Sequence, residues 1–591
     1  MTYATNNSFV EIFQDFEAFK LCFPRTLWID DAFEFDGNGI EEHDRARRFA
    51  DKFAYMIPGG EYFRDLKFDK SDSKTLRAER YGGYGVGENG GGVRCGNIDR
   101  NQVKGIGQNL LVGIGSDQLH SYGGLSAVDA IYETIYAHVL NKIMPIGVVP
   151  IRGIILTGEG AAYIPGVPPE PTWGALMVRD TALRPAHFLR AGNYRPRTEP
   201  GANILSDVAR VRMLNKRLLK RVGSADKLAR FLKRFLTNCA NQFAFARVAR
   251  TYHGSVSPSN MCFDGRWIDL TVTQFLPSTQ NTAGYSPDIA AFYEEYLVPV
   301  LMFRELADTL VKYNGVELDI EALISNYFRA ADVFFKHHLG YLFGFANPIP
   351  AELIKSAELE VVKAGISKFL SSAKPVLRKW PSVLQEDDPL VLLIETLCPA
   401  IADPARYAGH FTDRIFQGIV DQQGFLAAHK VIVDCMLKAE TDDCSPASRR
   451  AFIASSFIVA FKRAVLPEYF FKGRLENCIV LQLKNDNLQD VTDLINSSID
   501  LGSWIFGKNA ERSVLYRSES MLITFDEEHS RCVITGPSVQ GGQKSLSIHE
   551  TQEFISSQDR AIFVVNNFDF TRYLKRLLST LACIIESRNS V

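Results

Sequence analysis

Hydrophobic residues recur with two different periods along this chain, and the period changes from one region to the next. In residues 126–140 they recur at the spacing of one helix face, and Glu133 lies in the middle of this segment. Residues 143–157 form an apolar run that Pro and Gly interrupt, which is typical of extended strands. The pattern therefore predicts a helix that is followed by strands in this part of the chain.

Helical periodicity dominates the middle of the chain. Residues 204–235 predict two basic helices, and Ser224 is the expected N-cap of the second. Residues 287–345 predict long amphipathic helices with an aromatic stripe in the core, formed by Tyr327, Phe328, Phe334 and Phe335. Further helices are predicted for residues 351–371, 388–397, 409–439 and 446–463.

From about Lys472 the pattern changes to short β-like runs that polar turns separate. The runs are CIVLQLKN, SVLYRS, SMLITFD, RCVITG and AIFVVNN, and a helix over residues 572–587 is expected to close the chain. We interpret residues 472–591 as a separate α+β module. It is expected to bind the substrate, to pair with another subunit or to cover an active site.

The length of 591 residues exceeds what a single core usually holds, so several domains are expected. Residues 1–76 mix short helical patterns with acidic loops and form a predicted N-terminal segment. Residues 77–193 form a predicted lobe with a Gly-rich loop, and residues 194–471 form a predicted helical lobe. With the module at 472–591, these boundaries predict the α+β fold class.

Composition excludes some classes of function. The hydrophobic content of 46% and the charged content of 23% are ordinary for a globular protein, and the net charge of −2 argues against a general nucleic-acid binder. The ten cysteines show no CxxC spacing, so we expect reduced core thiols in a cytoplasmic protein rather than a zinc site. No signal peptide and no apolar run of ~18 residues is visible, so no membrane partner is expected.

The basic helices within residues 204–235 carry ten Lys and Arg residues and leave two interpretations open. The first is a solvated helix face without a partner. The second is a docking face for an acidic substrate or a leader peptide, whose binding would weaken steeply with salt.

The stretch from Tyr81 to Gly96 contains eight glycines, which let a ligand approach the backbone closely. Successive N–H groups in such a loop form an anion site, whereas the alternative interpretation is a flexible surface loop. Downstream come Lys104, the helix with Glu133 and then strands. This order is that of the nucleotide lobe of protein kinases, where the lysine contacts phosphates and the glutamate orients it.

Residues 253–270, HGSVSPSNMCFDGRWIDL, are a candidate for the second half of such a site. A kinase catalytic loop supplies an Asn ligand for Mg²⁺, and a later Asp supplies another, in the order of Asn260 and Asp269. Mg²⁺ prefers hard oxygen ligands and keeps several waters, so these two residues plus phosphates are sufficient. The alternative interpretation is a pair of turns at SPSN and FDGR.

These segments resemble, in the same order from about Tyr81 to Leu276, the selenoprotein O family of kinase-fold protein adenylyltransferases. YGGYGVGENGGGVR is similar to the glycine-rich stretch of the family and matches Arg94 to its arginine. VKGIGQ is similar to LKGAG, which matches Lys104 to the phosphate-binding lysine. AIYETIYAHVL is similar to the helix that carries the partner glutamate, here Glu133, and GVVPIRGIILTGEGAAYIP is similar to the following GIPTTRAL passage.

Two further segments complete the resemblance. ALMVRD and LRPAHF are similar to the MRV and VRFGHF pair, which implies that Arg179 and Arg184 contact phosphates. HGSVSPSNM and IDL are similar to HGVMNTDNM and IDYG, which implies that Asn260 and Asp269 are metal ligands. The resemblance also implies nucleotide-binding positions at Gly90, Gly91, Gly92, Gly123 and Gly124.

The resemblance implies a bilobal protein-kinase-like (pseudokinase) fold with an enlarged helical C-lobe. It also implies an enzyme that binds ATP and Mg²⁺ and transfers AMP to a protein or peptide, with Lys104, Glu133 and position 259 as catalytic positions. ATP is then held in reverse, so that Arg179 and Arg184 brace the outer phosphates. The chain departs from the family at Ser259, where the family has an aspartate that accepts a proton.

The departure at Ser259 leaves three functions open, because serine is no base at neutral pH without an activating partner. An acceptor that is a carboxylate needs no base, as in activation of a peptide carboxylate during peptide maturation. An inactive pseudokinase scaffold that binds ATP fits the substitution equally well. The third function is phosphate transfer with ATP in the usual orientation, against which the two matched arginines argue.

Overall fold

The computed structural model describes residues 9–35, 42–59, 63–116, 121–162, 172–197, 206–277, 290–370, 388–416, 418–485, 487–507, 511–537, 539 and 541–586. Over these residues the chain is a mixed α+β structure, as predicted, with a large antiparallel sheet near its N-terminus and helices over most of the remainder. Residues 204–205, 287–289, 371 and 587, which were assigned to predicted helices, lie outside the described ranges.

The large sheet has eight strands in the order β2-β7-β8-β6-β5-β4-β1-β3, and every neighbouring pair is antiparallel. The strands are β1 (Phe13–Leu21), β2 (Arg25–Ile29), β3 (Tyr55–Met56), β4 (Phe68–Glu79), β5 (Cys95–Ile98), β6 (Asn101–Lys104), β7 (Ile151–Ala162) and β8 (Thr172–Asp180). The short strand β6 lies near the middle of the sheet, between β5 and β8. Lys104 at its end is therefore enclosed by neighbouring strands.

The first 76 residues contribute more strand than their pattern predicts. Among the described residues of this segment the structure has the α-helix α1 (Glu42–Phe53) and a 3₁₀ turn at Val10–Ile12, and it places β1, β2, β3 and most of β4 in the large sheet. The prediction of helical patterns with acidic loops was wrong for these strands. Strand β1, with the sequence FQDFEAFKL, is only partly buried, and its pairing with β4 is long-range, so local periodicity does not reveal it.

The helix that carries Glu133 is α2 (Ala127–Ile143), three residues longer than predicted at its C-terminal end. Ser126 caps it by accepting a hydrogen bond from the Asp129 backbone N–H at 3.0 Å. Pro145 disfavours further helix, and the next strand, β7, begins only at Ile151, so the prediction of strands from residue 143 was wrong for residues 143–150. Almost every α2 side chain is buried, because the sheet covers one side of the helix and C-terminal helices cover the other.

The predicted helices of the middle region are confirmed with adjusted ends, except that the prediction of one helix over residues 409–439 was wrong, because the described residues between Thr412 and Gln422 are not helical. They are α3 (Asp207–Val222), α4 (Ala225–Val248), α5 (Val298–Asn314), α6 (Ile320–Leu342), α7 (Ala357–Leu370), α8 (Pro389–Ala402), α9 (Pro404–Thr412), α10 (Gln422–Glu440) and α11 (Pro446–Val465). Ser224 is the N-cap of α4, as predicted, and accepts a hydrogen bond from the Lys227 backbone N–H. In the aromatic stripe Tyr327 and Phe335 are buried, whereas Phe328 is 40% exposed.

The C-terminal region is partly helical where strands were expected. The CIVLQLKN run belongs to helix α12 (Lys472–Lys484), whose buried residues Leu475, Cys478, Ile479 and Leu483 follow a helix face. The prediction of a strand there was wrong because a short apolar run does not distinguish the two structures. Helix α13 (Leu488–Phe506) follows, and then the four-stranded antiparallel sheet β11 (Val514–Arg517), β12 (Leu522–Asp526), β13 (Arg531–Thr535) and β14 (Gln543–Leu546).

The remaining elements are α14 (Ile548–Ser557), the paired short strands β15 (Val564–Val565) and β16 (Phe568–Asp569), and the closing helix α15 (Thr571–Ile585). A further short pair, β9 (Thr251–Tyr252) and β10 (Gln274–Phe275), frames the segment that holds Asn260 and Asp269. The first three predicted β-like runs after the helices, SVLYRS, SMLITFD and RCVITG, contain β11, β12 and β13. The AIFVVNN run forms a single 3₁₀ turn followed by β15.

The 3₁₀ turn Leu466–Phe470 and the two helices that follow it, α12 and α13, pack directly on α2. The Tyr136 hydroxyl donates to the Phe470 carbonyl at 2.7 Å, and Lys142 Nζ donates to Ser503 Oγ at 2.6 Å. One continuous hydrophobic cluster extends from Phe9 to Ile584. The residues before and after the boundary at 472 therefore share a core. No helix of the described ranges combines the length and the apolar character that crossing a membrane requires.

We expect Tyr136→Phe to lower the free energy of unfolding by about 1–2 kcal/mol, because the buried Phe470 carbonyl loses its donor. Chemical denaturation followed by far-UV circular dichroism measures the change. The matched control is Tyr313→Phe, at a half-buried position on α5, which we expect to change stability by less than about 0.5 kcal/mol. Equal stability of Tyr136→Phe and the parent protein would contradict the packing on α2 of the Leu466–Phe470 turn, which leads into α12.

Candidate functional site

The centre of the candidate site is the ammonium group of Lys104, which lies between two carboxylates. Lys104 Nζ is 3.0 Å from Glu133 Oε2 and 2.6 Å from Asp269 Oδ1. The side chains of Lys104 and Glu133 are 1% and 2% exposed, whereas the Asp269 side chain is 29% exposed. The structure thus brings together three of the residues that the sequence singled out, and Asp269 is the most exposed of the three.

Three different parts of the fold hold these side chains. Lys104 ends strand β6, directly opposite Met177 of β8, while Glu133 projects from α2, which packs against β7 and β8. Asp269 follows the buried Trp267, whose backbone bridges to Val148 in parallel and to Met261 in antiparallel. Asp269 itself has a φ of +66°, an uncommon conformation for a residue with a side chain.

A glutamine that the sequence analysis missed organises the arginines of the site. Gln102 lies two residues before Lys104 on β6 and directly opposite Arg179 on β8. Gln102 Oε1 accepts from Arg179 Nε at 2.9 Å and from Arg179 Nη2 at 2.7 Å, and it accepts from Arg184 Nη2 at 3.2 Å. The available signal was the strand period of two, which puts residues 102 and 104 on one face of the sheet.

The two arginines that the resemblance matched to phosphate contacts are both buried here. Arg179 Nη1 is 3.2 Å from Glu133 Oε1, and Arg184 Nη1 donates to the Ser259 carbonyl at 2.9 Å. The Nε atom of Arg184 is buried without a hydrogen-bond partner among the described residues. The Nε–H group of Arg184 is therefore a donor that no described residue uses.

Glu79, at the end of β4, is the counter-charge of Arg184 and was also missed. Its Oε2 is 3.3 Å from Arg184 Nη2 and 3.4 Å from His187 Nε2. Burial by itself raises the pKa of Glu79, but the charge of Arg184 and the hydrogen bond with His187 outweigh it and hold the pKa at about 2. Glu79 therefore remains ionised at neutral pH although it is fully buried.

The charges of the site do not balance. Four cations, Lys104, Arg94, Arg179 and Arg184, face three carboxylates, Glu79, Glu133 and Asp269; we refer to these seven residues as the charge cluster. Burial opposes ionisation of Asp269, but Lys104, Arg179 and Arg94 together hold its pKa below the ordinary range. The excess of one positive charge favours an anionic ligand.

A third missed residue, Glu295, fixes the loop that carries Ser259 and Asn260. The buried carboxylate of Glu295 accepts the His253 N–H at 3.0 Å and the Gly254 N–H at 2.8 Å. Burial raises the pKa of Glu295 to about 8, although the two N–H donors oppose this shift. The His253 ring packs edge-on against Trp267 at 4.9 Å, so the start of the loop is held from two sides.

Asn260 lies next to the Asp269 segment. Its backbone carbonyl accepts the Ile268 N–H at 3.1 Å, and its side-chain Nδ2 donates to the Ser255 carbonyl at 2.9 Å. Because a carbonyl accepts this second bond, its donor must be the amide nitrogen of Asn260. The amide oxygen, Oδ1, is then the atom that could bind a metal ion. The Ser259 hydroxyl lies 3.0 Å from the Ser257 hydroxyl, and no described carboxylate is hydrogen-bonded to it.

The donor set fits a magnesium ion that is bound chiefly through a substrate. No group of three His, Cys, Asp or Glu side chains in the described ranges could hold a metal alone. Asn260 and Asp269 supply two hard oxygen atoms on adjacent backbone segments, and the exposed part of the Asp269 carboxylate is accessible. Mg²⁺ is commonly held by one or two such ligands together with phosphate oxygens and water.

The Gly-rich stretch is packed against the protein, and several of its N–H groups are already used, including those of Gly82 and Gly83, which donate to the Ala186 and Arg190 carbonyls. Gly90 N–H donates to the Leu111 carbonyl at 2.8 Å, and Gly92 N–H donates to the Glu79 carbonyl at 2.9 Å. The expected anion site therefore lacks these four glycine donors. A Cβ atom on Gly91, which has a φ of +148°, would lie 2.1 Å from the Glu79 carbonyl oxygen. Glycine at this position lets the loop approach the strand that carries Glu79.

The other predicted nucleotide positions lie beside Arg94. Arg94 Nη1 donates to the Gly124 carbonyl at 3.1 Å, and the Gly123 carbonyl accepts the Gly107 N–H at 3.0 Å. A Cβ atom on Gly123, which has a φ of +91°, would meet the Gln108 backbone nitrogen at 2.4 Å. These glycines hold the turn before α2 close to the strand end with Lys104.

No protein-family model matches this chain, and a search of the curated proteins finds no match.

We expect Gly91→Ala to lower the free energy of unfolding by about 2–3 kcal/mol, because the new methyl group overlaps the Glu79 carbonyl. Gly92→Ala is the matched control, since its Cβ atom would have its nearest neighbours at 3.5 Å. Thermal unfolding of both variants measures the difference. Similar melting temperatures for the two would contradict the close approach of this loop to β4.

We expect Glu79→Gln to be less stable than the parent protein by about 3 kcal/mol at pH 7, because Arg184 loses its counter-charge. The pKa of Glu79 is lowered in the folded state, so its contribution is present above pH 4.5 and is lost as the pH falls towards 2. The difference between the two proteins should therefore shrink on acidification. Urea unfolding at pH 7, 5 and 3.5 measures it, with the exposed Glu159→Gln as the control. A difference that does not depend on pH would exclude this ion pair as its cause.

Proposed function

We propose that this chain is an ATP- and Mg²⁺-dependent nucleotidyltransferase with a bilobal, kinase-like arrangement, which transfers AMP to a protein or peptide. The observation that carries the proposal is the position of Lys104 Nζ, 3.0 Å from Glu133 and 2.6 Å from Asp269. In protein kinases the equivalent lysine pairs with a helix glutamate and lies beside the metal-binding aspartate.

The arrangement of elements around Lys104 supports two lobes. The sheet and α2 carry Lys104, Glu133 and Arg179, whereas Asn260 and Asp269 follow the long helix α4 on the helical side. Contacts between Lys104 and Asp269 and between Arg184 and the Ser259 carbonyl join the two sides. A triphosphate held at this junction would contact residues of both lobes.

The burial of Arg179 and Arg184 supports AMP transfer over phosphate transfer. Guanidinium groups are always charged and bind phosphate oxygens in pairs of hydrogen bonds, so two of them suit the β- and γ-phosphates at the buried end of a site. The α-phosphate then lies towards the opening. The acceptor oxygen forms a bond to the α-phosphorus, the bond from that phosphorus to the bridging oxygen breaks, and pyrophosphate leaves with the electron pair.

The residues of the site have different roles in this step. Lys104 and the arginines bind and orient the phosphates, Glu133 holds Lys104, and Asn260 with Asp269 would hold Mg²⁺. The metal ion, when it is bound, offsets the negative charge that increases on the phosphates in the transition state. Ser259 accepts no proton at neutral pH, so an acceptor that is already ionised, such as a carboxylate, fits the site best.

A second candidate, an inactive ATP-binding pseudokinase scaffold, is favoured by the surroundings of Ser259. Its hydroxyl is paired with that of Ser257 at 3.0 Å and not with a carboxylate that could activate it. The charge cluster would serve binding equally well in such a scaffold. Phosphate transfer with ATP in the usual orientation remains the third candidate.

One experiment distinguishes the three candidates. The protein is incubated with Mg²⁺ and ATP labelled at either the α- or the γ-phosphate, together with a library of synthetic peptides that have free carboxylates. We expect retention of the α label on a peptide or on the protein itself. Retention of the γ label would indicate phosphate transfer, and tight ATP binding with transfer of neither label would indicate a scaffold.

We expect Asp269→Asn to abolish Mg²⁺-dependent transfer, because it removes the charged ligand of the metal ion. We expect Lys104→Met to reduce transfer by about 100-fold or more, because it removes a positive charge at the phosphates. Both substitutions preserve side-chain volume, and thermal unfolding in the absence of ATP verifies folding. The control is the exposed Lys70→Met, for which we expect parental activity. Parental transfer rates in Asp269→Asn would exclude this carboxylate as a metal ligand.

A further inference from the structure

Helices α3 and α4 expose a row of cations that the proposed AMP transfer does not use. Ten Lys and Arg residues lie between Asp207 and Phe235, whereas the only carboxylates there are Asp207 and Asp226. Three of the ten have structural partners, since Arg210 pairs with Asp207, Arg217 pairs with Glu11 and Arg221 lies over the Phe9 ring. We define the basic face as the exposed residues Arg212, Lys216, Lys220, Lys227, Arg230 and Arg234.

The basic face is regular in its spacing and lacks counter-charges. Arg212, Lys216 and Lys220 follow one another at intervals of four residues, which puts them on one side of α3 at a spacing of about 6 Å. None of the six residues forms an ion pair with a carboxylate of the described ranges. The six residues therefore present positive charge that no ion pair within the described ranges compensates.

Such a row is unfavourable for the isolated helix. Like charges four residues apart destabilise a helix by roughly 0.2–0.5 kcal/mol for each pair, and the row contains the pairs Arg212–Lys216, Lys216–Lys220 and Arg230–Arg234. The whole chain carries a net charge of −2, so the row does not reflect a generally basic composition. A ligand that supplies negative charge would remove this repulsion.

The chemistry of the surface favours an acidic polypeptide over a nucleic acid. Single-stranded nucleic acids are bound by stacking bases on aromatic side chains, but the aromatic residues of α3 and α4 are all buried or half-buried. Val208 and Met213, which are 42% and 44% exposed, lie beside the basic face on α3. They offer apolar contacts to the side chains that lie between the carboxylates of a peptide.

The position of α3 connects the basic face with the charge cluster. Helix α3 packs against the Pro185–Phe188 turn, which directly follows Arg184. Arg210, on the buried side of the same helix, donates to the His187 carbonyl at 2.6 Å and to the Leu189 carbonyl at 2.7 Å. A polypeptide bound on the exposed side of α3 is therefore separated from the segment that supports Arg184 by the width of this helix, about 10–12 Å.

We propose that the basic face is the docking surface for an acidic segment of the acceptor polypeptide. The identification of the bound polypeptide as the acceptor rests on the proposed function. Binding of an acidic polypeptide to the basic face does not depend on that function. Carboxylates on alternate residues of an extended peptide lie about 6.6–6.8 Å apart, close to the spacing of about 6 Å along α3.

The test is fluorescence anisotropy at 150 mM NaCl, without ATP or Mg²⁺, of a labelled 11-residue peptide with Glu at every second position. A peptide of the same composition with its glutamates in one block is the sequence control. We expect the alternating peptide to bind at least about tenfold more tightly than the block peptide. Its affinity should also fall steeply as the salt concentration rises, because exposed charges are screened.

The matched variants reverse three charges each. Arg212→Glu/Lys216→Glu/Lys220→Glu should weaken binding of the alternating peptide at least about tenfold, whereas Lys70→Glu/Lys430→Glu/Lys575→Glu, at exposed positions elsewhere, should leave it unchanged. Far-UV circular dichroism verifies that both proteins are folded. Equal loss in both variants would overturn the proposal, as would tighter binding of a single-stranded RNA of equal charge at the basic face.

A second readout connects docking with turnover. For a peptide that accepts AMP, adding the alternating acidic segment should lower KM at least about tenfold and leave kcat unchanged, and the α3 variant should lose this advantage. Failure of AMP transfer with intact peptide binding would contradict the proposed function alone. Absence of peptide binding with intact AMP transfer would contradict the docking surface alone.

Discussion

The ion pairs of Lys104 impose the strictest constraint on this structure. An ammonium group with 1% exposure is stable only if carboxylates replace the water that it has lost, and Glu133 and Asp269 do so from 3.0 and 2.6 Å. These residues belong to a strand, a helix and a loop that are far apart in sequence. The sheet, α2 and the segment before Asp269 must therefore keep their relative positions, since a shift of any one leaves a buried charge without a partner.

The surrounding arginines extend this constraint. A single oxygen atom of Gln102 accepts three hydrogen bonds from Arg179 and Arg184, and Glu79 compensates part of their charge. The guanidinium groups are thereby fixed before any ligand binds, which reduces the entropy that binding would otherwise cost. The remaining positive charge gives the site its preference for anions.

The C-terminal helices contribute to the same arrangement. Lys472, the first residue of α12, donates to the Thr271 carbonyl at 2.7 Å and lies 4.5 Å above the Tyr132 ring of α2. The Tyr132 hydroxyl donates to the Thr273 carbonyl at 2.6 Å. The segment after Asp269 is thus held from α2 and from α12 together, so the region beyond residue 471 supports the charge cluster structurally.

The sequence by itself determined those features that depend on near neighbours. The helix around Glu133, the cap at Ser224 and the strands β11, β12 and β13 follow from local periodicity and capping chemistry. The ordered motifs also singled out Lys104 and Asp269, because residue type and order are properties of the chain. These features need no knowledge of the partner segments.

Only the tertiary structure decided the features that depend on pairing. The strand conformation of β1 depends on its pairing with β4. The helical conformation of α12 is evident only from the face that it buries. Gln102 and Glu295 are ordinary polar residues in the sequence, and their importance comes from the register of β6 with β8 and from the two N–H groups at His253 and Gly254. Register and long-range packing depend on the whole chain, and for this physical reason local patterns could not determine them.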